Sequence, residues 1–393
     1  MGLAFAWAGC GRREAGETGN DSPADPKALN LRANSELALL RDEGDLAHID
    51  QAARLVAESL RLAPAASNLG ALAMQARVAM AAHRFGEARA VAEDLRSRAP
   101  GNAYCLEALG DALFELGEYG QAAQAWDAMQ ALAPGSAGAE ARAAQMGLLH
   151  GQVGDAKRHL AESLRLAEQA GPAGASGVAG CAVQCGEAEF LSGDWEAAER
   201  DYQLALKVVP GGYAATEHLA ELRGAQNRVA ESMELYLGLV KRVSRPELMQ
   251  DMGDLLAFAG RAGEAAPWIE RARRAYLASI ARGEVLYLHH LSGLFADSLN
   301  DPKDAVEWAR RDLAYRHTIQ AYDSLAWALA KDAKADEALA MDDKALATGT
   351  RDPHILYHAA MIRMGAGDIA AGKALLLRAT ESNPRFNAFH VHR

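Results

Sequence analysis

Apolar residues recur along this chain three and four positions apart, and glycine or proline interrupts them at regular distances. The pattern is cleanest from Ala103 to Pro134. There Leu106, Leu109, Gly110 and Leu113 mark one stripe, Gly117 breaks it, and Tyr119, Ala122, Trp126 and Met129 mark a second that stops at Pro134. Such spacing places side chains on one face of an α-helix, while glycine and proline penalise helix interiors. The stretch predicts two antiparallel helices, each apolar on one side, with small residues where their backbones approach.

The arrangement returns along most of the chain. Before it lie a degenerate unit from Ala33 to Pro64, with Asn34-Ser35 as a candidate helix N-cap, and a clearer one from Leu69 to Pro100. After it comes a unit from Ala137 to Glu168, then QAGPAGASGVAG from Gln169 to Gly180, which favours a loop. Six further units carry Gly186 and Tyr202, Leu219 and Tyr236, Gly253 and Ile269, Gly293 and Ala309, Leu325 and Ala338, and Leu356 and Leu376. The helix bearing Ile269 is expected to continue to Ile280. About ten units result. They divide into an array over 33–168, an interruption over 169–178, a second array over 179–387 and a tail over 388–393.

A period of about 34 residues with Gly, Ala, an aromatic and a closing Pro at these offsets resembles the tetratricopeptide repeat. The resemblance implies an all-α, right-handed superhelical solenoid of antiparallel helix pairs. Gly110, Gly186, Gly253 and Gly293 would let first helices pack closely, with Trp126, Tyr202 and Tyr236 as plugs between helices. It also implies a binding function, because stacked pairs leave a concave surface lined by first helices.

Carried onto this sequence, that lining holds Tyr104, Glu107, Asp111 and Phe114 in the early units, and Glu187, Phe190, Glu217 and Glu221 in the middle. It continues with Glu247, Asp254, Tyr287, His290 and Asp297, and ends with Asp323, Trp327, His354 and Tyr357. Basic residues at these positions are confined to Arg41 and Arg77. The expected groove is acidic with interspersed aromatics, suited to a protein or peptide partner of basic or extended character. Chaperone-binding members of the family clamp a C-terminal carboxylate with Lys and Asn. The matching positions here hold Leu37, Ala73 and Glu107, and Arg41, Arg77 and Asp111, so no such clamp is expected. An alternative partner is a glycan or small molecule stacked on Phe114, Phe190, Trp327 and Tyr357.

Charge narrows the partner further. Among 393 residues, 41 are Lys or Arg and 52 Asp or Glu, a formal net charge of −11, which disfavours nucleic acid. The N-terminus adds a location. Gly2 to Ala8 is apolar, and Ala8-Gly9-Cys10 resembles the lipobox of a bacterial lipoprotein, with Cys10 as the acylated residue. Residues 1–10 would be a truncated signal segment and 11–32, rich in Gly, Glu, Asp, Ser and Pro near its start, a flexible tether. The expectation is a periplasm-facing, lipid-anchored scaffold of the cell envelope, at the outer membrane because Gly11 rather than Asp follows Cys10. The apolar run is short and no Lys or Arg precedes it, so a cytoplasmic adaptor with an ordinary cysteine at position 10 stays open.

Little in the chain points to chemistry. Cys181 and Cys185 sit four apart, yet no neighbouring Cys or His completes a zinc set, and buried thiols at a helix contact are expected. His289 and His290 are adjacent and point in different directions on a helix. His390 and His392 form a His-x-His tail that could hold a transition metal weakly. No P-loop, His-Glu-x-x-His or Gly-x-Ser-x-Gly sequence is present. A non-enzyme without cofactor or resident metal is expected.

Overall fold

The computed structural model describes residues 25–169, 171, 174–387 and 389. Cys10, the expected signal segment over 1–10 and His390 and His392 lie outside the described residues. Twenty helices follow one another with no strand among the described residues, and they pack as ten antiparallel pairs, an all-α solenoid. The pairs are α1 (Pro26–Glu43) with α2 (Ala47–Leu62), α3 (Leu69–Ala81) with α4 (Phe85–Arg98), α5 (Ala103–Glu115) with α6 (Tyr119–Leu132), α7 (Ala137–Leu149) with α8 (Val153–Glu168) and α9 (Ala175–Leu191) with α10 (Trp195–Val208). They continue with α11 (Tyr213–Ala225) and α12 (Val229–Arg242), α13 (Pro246–Phe258) and α14 (Ala262–Ala281), and α15 (Leu288–Gly293) and α16 (Pro302–Tyr315). The last are α17 (Ile319–Lys331) with α18 (Ala335–Leu346) and α19 (Pro353–Gly365) with α20 (Ile369–Ser382).

Local chemistry sets the boundaries. Every turn within a pair passes through one left-handed residue: Gly44, His83, Gly117, Gly151, Gly193, Asn227, Gly260, Asn300, Ala333 or Gly367. Asn68, Asn102, Ser136, Asp194, Asp301, Thr318, Asp352 and Asp368 cap the helices that follow them by accepting from first-turn N–H groups. Two expectations give way. The first helix starts at Pro26, capped by Asp25, so 26–32 belong to the array and Asn34-Ser35 lies inside the helix. The loop expected over Gln169–Gly180 gives way to α9 at Ala175, whose interior glycines are offset by the burial of Val178, Cys181 and Val183.

Close helix approach follows the glycines. A Cβ on Gly110 would stand 2.3 Å from the Trp126 indole, one on Gly186 would stand 2.4 Å from the Tyr202 ring, and one on Gly253 would stand 2.4 Å from Ile269. Tyr202, Tyr236 and Tyr276 are fully buried between helices. Cys105, Cys181 and Cys185 are buried thiols, with no disulfide among the described residues. Gly293 departs from the expectation, since nothing lies within 4 Å of where its Cβ would be. Beyond it the helix widens into a π-turn over Leu294–Ser298, where Leu299 N–H bonds the Leu294 carbonyl five residues back at 2.9 Å. That extra residue per turn shifts the face, so Gly293 looks inward to open space.

The array winds until it meets itself. The α5–α6 turn seats on the loop before α17: His317 N–H donates to Leu116 O, and Ile319 N–H donates to Tyr119 Oη, both at 2.9 Å. His150, in the next pair's turn, lies 3.0 Å from Thr348 O. One pair further, Asn383 Nδ2 donates to Phe190 O at 3.3 Å and Arg385 bonds both Glu196 oxygens. Gly117 must be glycine there, because its φ is +81° and a Cβ would fall 2.2 Å from the His317 carbonyl oxygen. Each early turn therefore touches the chain five or six pairs later, and the concave face closes into a chamber.

Candidate binding chamber

The chamber encloses about 400 Å³. Apart from Phe85 at the start of α4, its wall comes from first helices, the π-turn and the loops between helices; no other second helix contributes. Nine of the seventeen expected groove residues line it: Glu217, Glu221, Glu247, Tyr287, His290, Asp297, Asp323, Trp327 and His354. Arg41 and Arg77 join them.

The other eight are committed elsewhere. Glu107 and Asp111 form ion pairs with the buried Arg142 at 3.0 and 2.6 Å, and the Trp126 Nε1–H donates to Asp111 at 3.0 Å. Glu187 pairs with His218 at 2.9 Å, and Asp254 accepts from Ser298 at 2.8 Å. Tyr104 Oη donates to Ala73 O at 3.3 Å. Phe114 packs between Tyr119 and Trp126, Tyr357 faces Phe386, and Phe190 is 1% exposed. Trp327 stacks on His358 at 4.1 Å with Lys331 over its ring at 5.1 Å. Of the four rings expected to stack on sugar, Phe190 is thus covered by protein, while Phe114, Trp327 and Tyr357 are half-buried and Trp327 faces the chamber.

Position counting along first helices missed much of the wall. Arg245 and Arg316 reach the chamber from loops, and His83 from the α3–α4 turn. Arg245 lies over the Tyr213 ring at 4.7 Å and pairs with Glu247. Arg316 grips Asp312 at 3.0 and 3.2 Å. Basic groups are therefore not confined to Arg41 and Arg77. Even so, eight carboxyl side chains line the space against four guanidinium groups: Glu115, Glu217, Glu221, Glu247, Asp251, Asp297, Asp323 and Asp352 against Arg41, Arg77, Arg245 and Arg316.

Burial and these neighbours split the titrations. Burial pushes the Glu115 and Asp323 carboxyls up to about 7. It pushes His83, aided by Arg316, and His354, aided by His358, down to about 3. His218 goes the other way: burial opposes its charge, but Glu217, Glu187 and Glu221 overcome that and hold it well above the usual range. The chamber thus combines neutral imidazoles, one imidazolium and an excess of carboxyls.

One other feature comes from α17 and α19. His354 and His358 lie one turn apart on α19 and face Asp323 of α17, with His358 Nδ1 2.9 Å from Asp323 Oδ2. The His-x-x-x-His spacing at 354–358 was the available sequence signal for this cluster.

No family model matches the chain, and no curated protein matches it. Among solved structures it is similar to the crystal structure of the yeast Tom70, with 11% identity, 91% of each chain covered and a TM-score of 0.39. That likeness is too loose to carry an argument, and the all-α repeat architecture rests on the helix pairs themselves.

Proposed function

We propose that the chain is a non-catalytic binding protein whose repeat array holds a protein partner by a short basic segment inserted into the chamber. The observation that carries this is the convergence of first helices from both ends of the array on one acidic space of about 400 Å³. That volume falls in the range of about 300–1,000 Å³ typical of small-ligand sites. It admits a side chain or a chain end, not an extended peptide lying along an open groove. Excess carboxylate in a low-dielectric wall favours a lysine or arginine side chain. Anchoring at the cell envelope through lipid on Cys10 belongs to the same proposal, and mass spectrometry of the mature N-terminus decides it: an intact Met1 and unmodified Cys10 would remove the anchor.

Calorimetric titration with a short Arg/Lys peptide tests the chamber. Binding should weaken steeply with salt and be lost in Gly293→Leu, which projects a side chain into the space from a position where a Cβ meets nothing within 4 Å. Equal binding by the filled variant, or no binding by the native chain, would sink the reading.

A further inference from the structure

We propose that Asp323, His354 and His358 bind one divalent ion of the zinc, cobalt and nickel class at the chamber wall. One donor atom from each residue lies within 4.8 Å of the others. The His358–Asp323 separation of 2.9 Å is close to the roughly 3.3 Å between neighbouring donors in a tetrahedral centre with bonds of about 2.0–2.1 Å. Small side-chain rotations therefore suffice to converge on one ion. Coordination through His358 Nδ1 places that ring's proton on Nε2.

The scaffold restricts where these donors can go. His354 and His358 share one face of α19 through their four-residue spacing. The start of α19 is pinned by Asp352, whose Oδ1 accepts from His354 N–H at 2.9 Å. The His358 ring lies flat on Trp327, at 4.1 Å between centroids and 8° between planes, and the two are adjacent in the wall. Asp323 and His358 are buried, at 5% and 4% exposure. Two imidazoles with one carboxylate suit a borderline first-row ion; calcium and magnesium prefer all-oxygen sets. Three protein ligands leave a fourth position for water or a donor group from the chamber. The surrounding carboxyl excess raises the local cation concentration.

This inference is independent of the peptide reading, since its test contains the ion alone. The full chain, stripped with chelator, is titrated with Zn²⁺ by calorimetry and with Co²⁺ by visible absorbance. One ion per chain should bind, raise the unfolding temperature and give a tetrahedral Co²⁺ spectrum. His354→Ala and Asp323→Asn should each weaken binding about tenfold or more and abolish that spectrum, while His390→Ala with His392→Ala should leave both unchanged. Absence of saturable one-to-one binding, survival of it in His354→Ala, or its loss in the tail variant would each overturn the site. If Asp323→Asn does not fold, the partly exposed His354→Ala decides the matter alone.

Discussion

Arg142 grips Asp111 with both arms of its fork, Nε 2.7 Å from Oδ1 and Nη2 2.6 Å from Oδ2. The same Nη2 reaches Glu107 at 3.0 Å, and a third donor, Nη1, bonds Gly138 O at 2.9 Å. Two acids that read along α5 as groove lining are thereby spent on joining α5 to α7. Bidentate geometry and full pairing make such a buried cluster tolerable.

Removing the guanidinium alone should be severe. Arg142→Met leaves two buried carboxylates without a counter-ion, and a loss of about 3–5 kcal/mol is expected. Glu107 already titrates above its usual range, because burial outweighs Arg142. In the variant Glu107 loses the arginine that lowers it and holds in the folded state a proton that the unfolded chain has released, so stability falls as pH rises. Urea unfolding of Arg142→Met should show its deficit at pH 7.5 and a smaller one at pH 5; a deficit that grows on acidification would contradict this account.

The glycines separate packing from space. Gly186→Ala drives a methyl group to 2.4 Å from the Tyr202 ring, and overpacking of this kind costs about 1–3 kcal/mol. Gly293→Ala meets nothing within 4 Å and lies in a helix, where alanine gains about 0.5–1 kcal/mol over glycine. Thermal unfolding should move in opposite directions for the two. Parallel shifts would mean that Gly293 packs like the others.

How far the chain could be read follows from the range of each interaction. The Gly110–Trp126, Gly186–Tyr202 and Gly253–Ile269 contacts lie within one helix pair, so a local 3.6-residue period and a glycine suffice to find them. Arg142, Arg245, Arg316 and His83 act between units or from turns, outside the positions that periodicity marks. Closure is more remote still. It depends on small rotations per pair summed over five or six pairs, and no single residue encodes that sum. Gly117 illustrates the limit: its role as a turn residue was legible, but the His317 carbonyl against it comes from a segment 200 positions later. The start of α1 was available in Asp25-Pro26, an N-cap followed by proline in the first turn, and the polar composition around it concealed the signal.

Glu115 offers a pH test. Burial raises its carboxyl to about 7, against partial relief from Arg316. The unfolded chain releases this proton in the ordinary range of Glu, at about pH 4.3, while the folded chain keeps it until about 7. The native protein therefore loses stability through this group as pH rises across that window. Glu115→Gln removes the loss. Its unfolding free energy should match the native protein's near pH 4.5 and exceed it at pH 8 by on the order of 1–2 kcal/mol, reduced from the full linkage value by chamber solvent. An advantage that is the same at both pH values would show that the amide acts through packing and not through charge.

Closure of the array can be probed where its last turn lands. Asn383 is fully buried. Its Nδ2 donates to Phe190 O at 3.3 Å and its Oδ1 accepts from Arg385 N–H at 2.9 Å. That same oxygen stands 2.6 Å from where a Gly193 Cβ would be. Asn383→Ala gives up the bond to Phe190 O across the seam and the local bond from Arg385 N–H that orients the side chain, for about 1–2 kcal/mol in all, yet touches no contact within the early helix pairs. Because stacked repeats couple mainly to their neighbours, the effect should be local: amide exchange should rise around 188–196 and 379–387 while α3 to α6 keep their protection. Thr380→Ala serves as the control, since its hydroxyl is exposed and bonds only Leu377 O within the same helix. If Asn383→Ala left exchange at the seam unchanged, or raised it evenly along the chain, the two windings would not be held together by this residue.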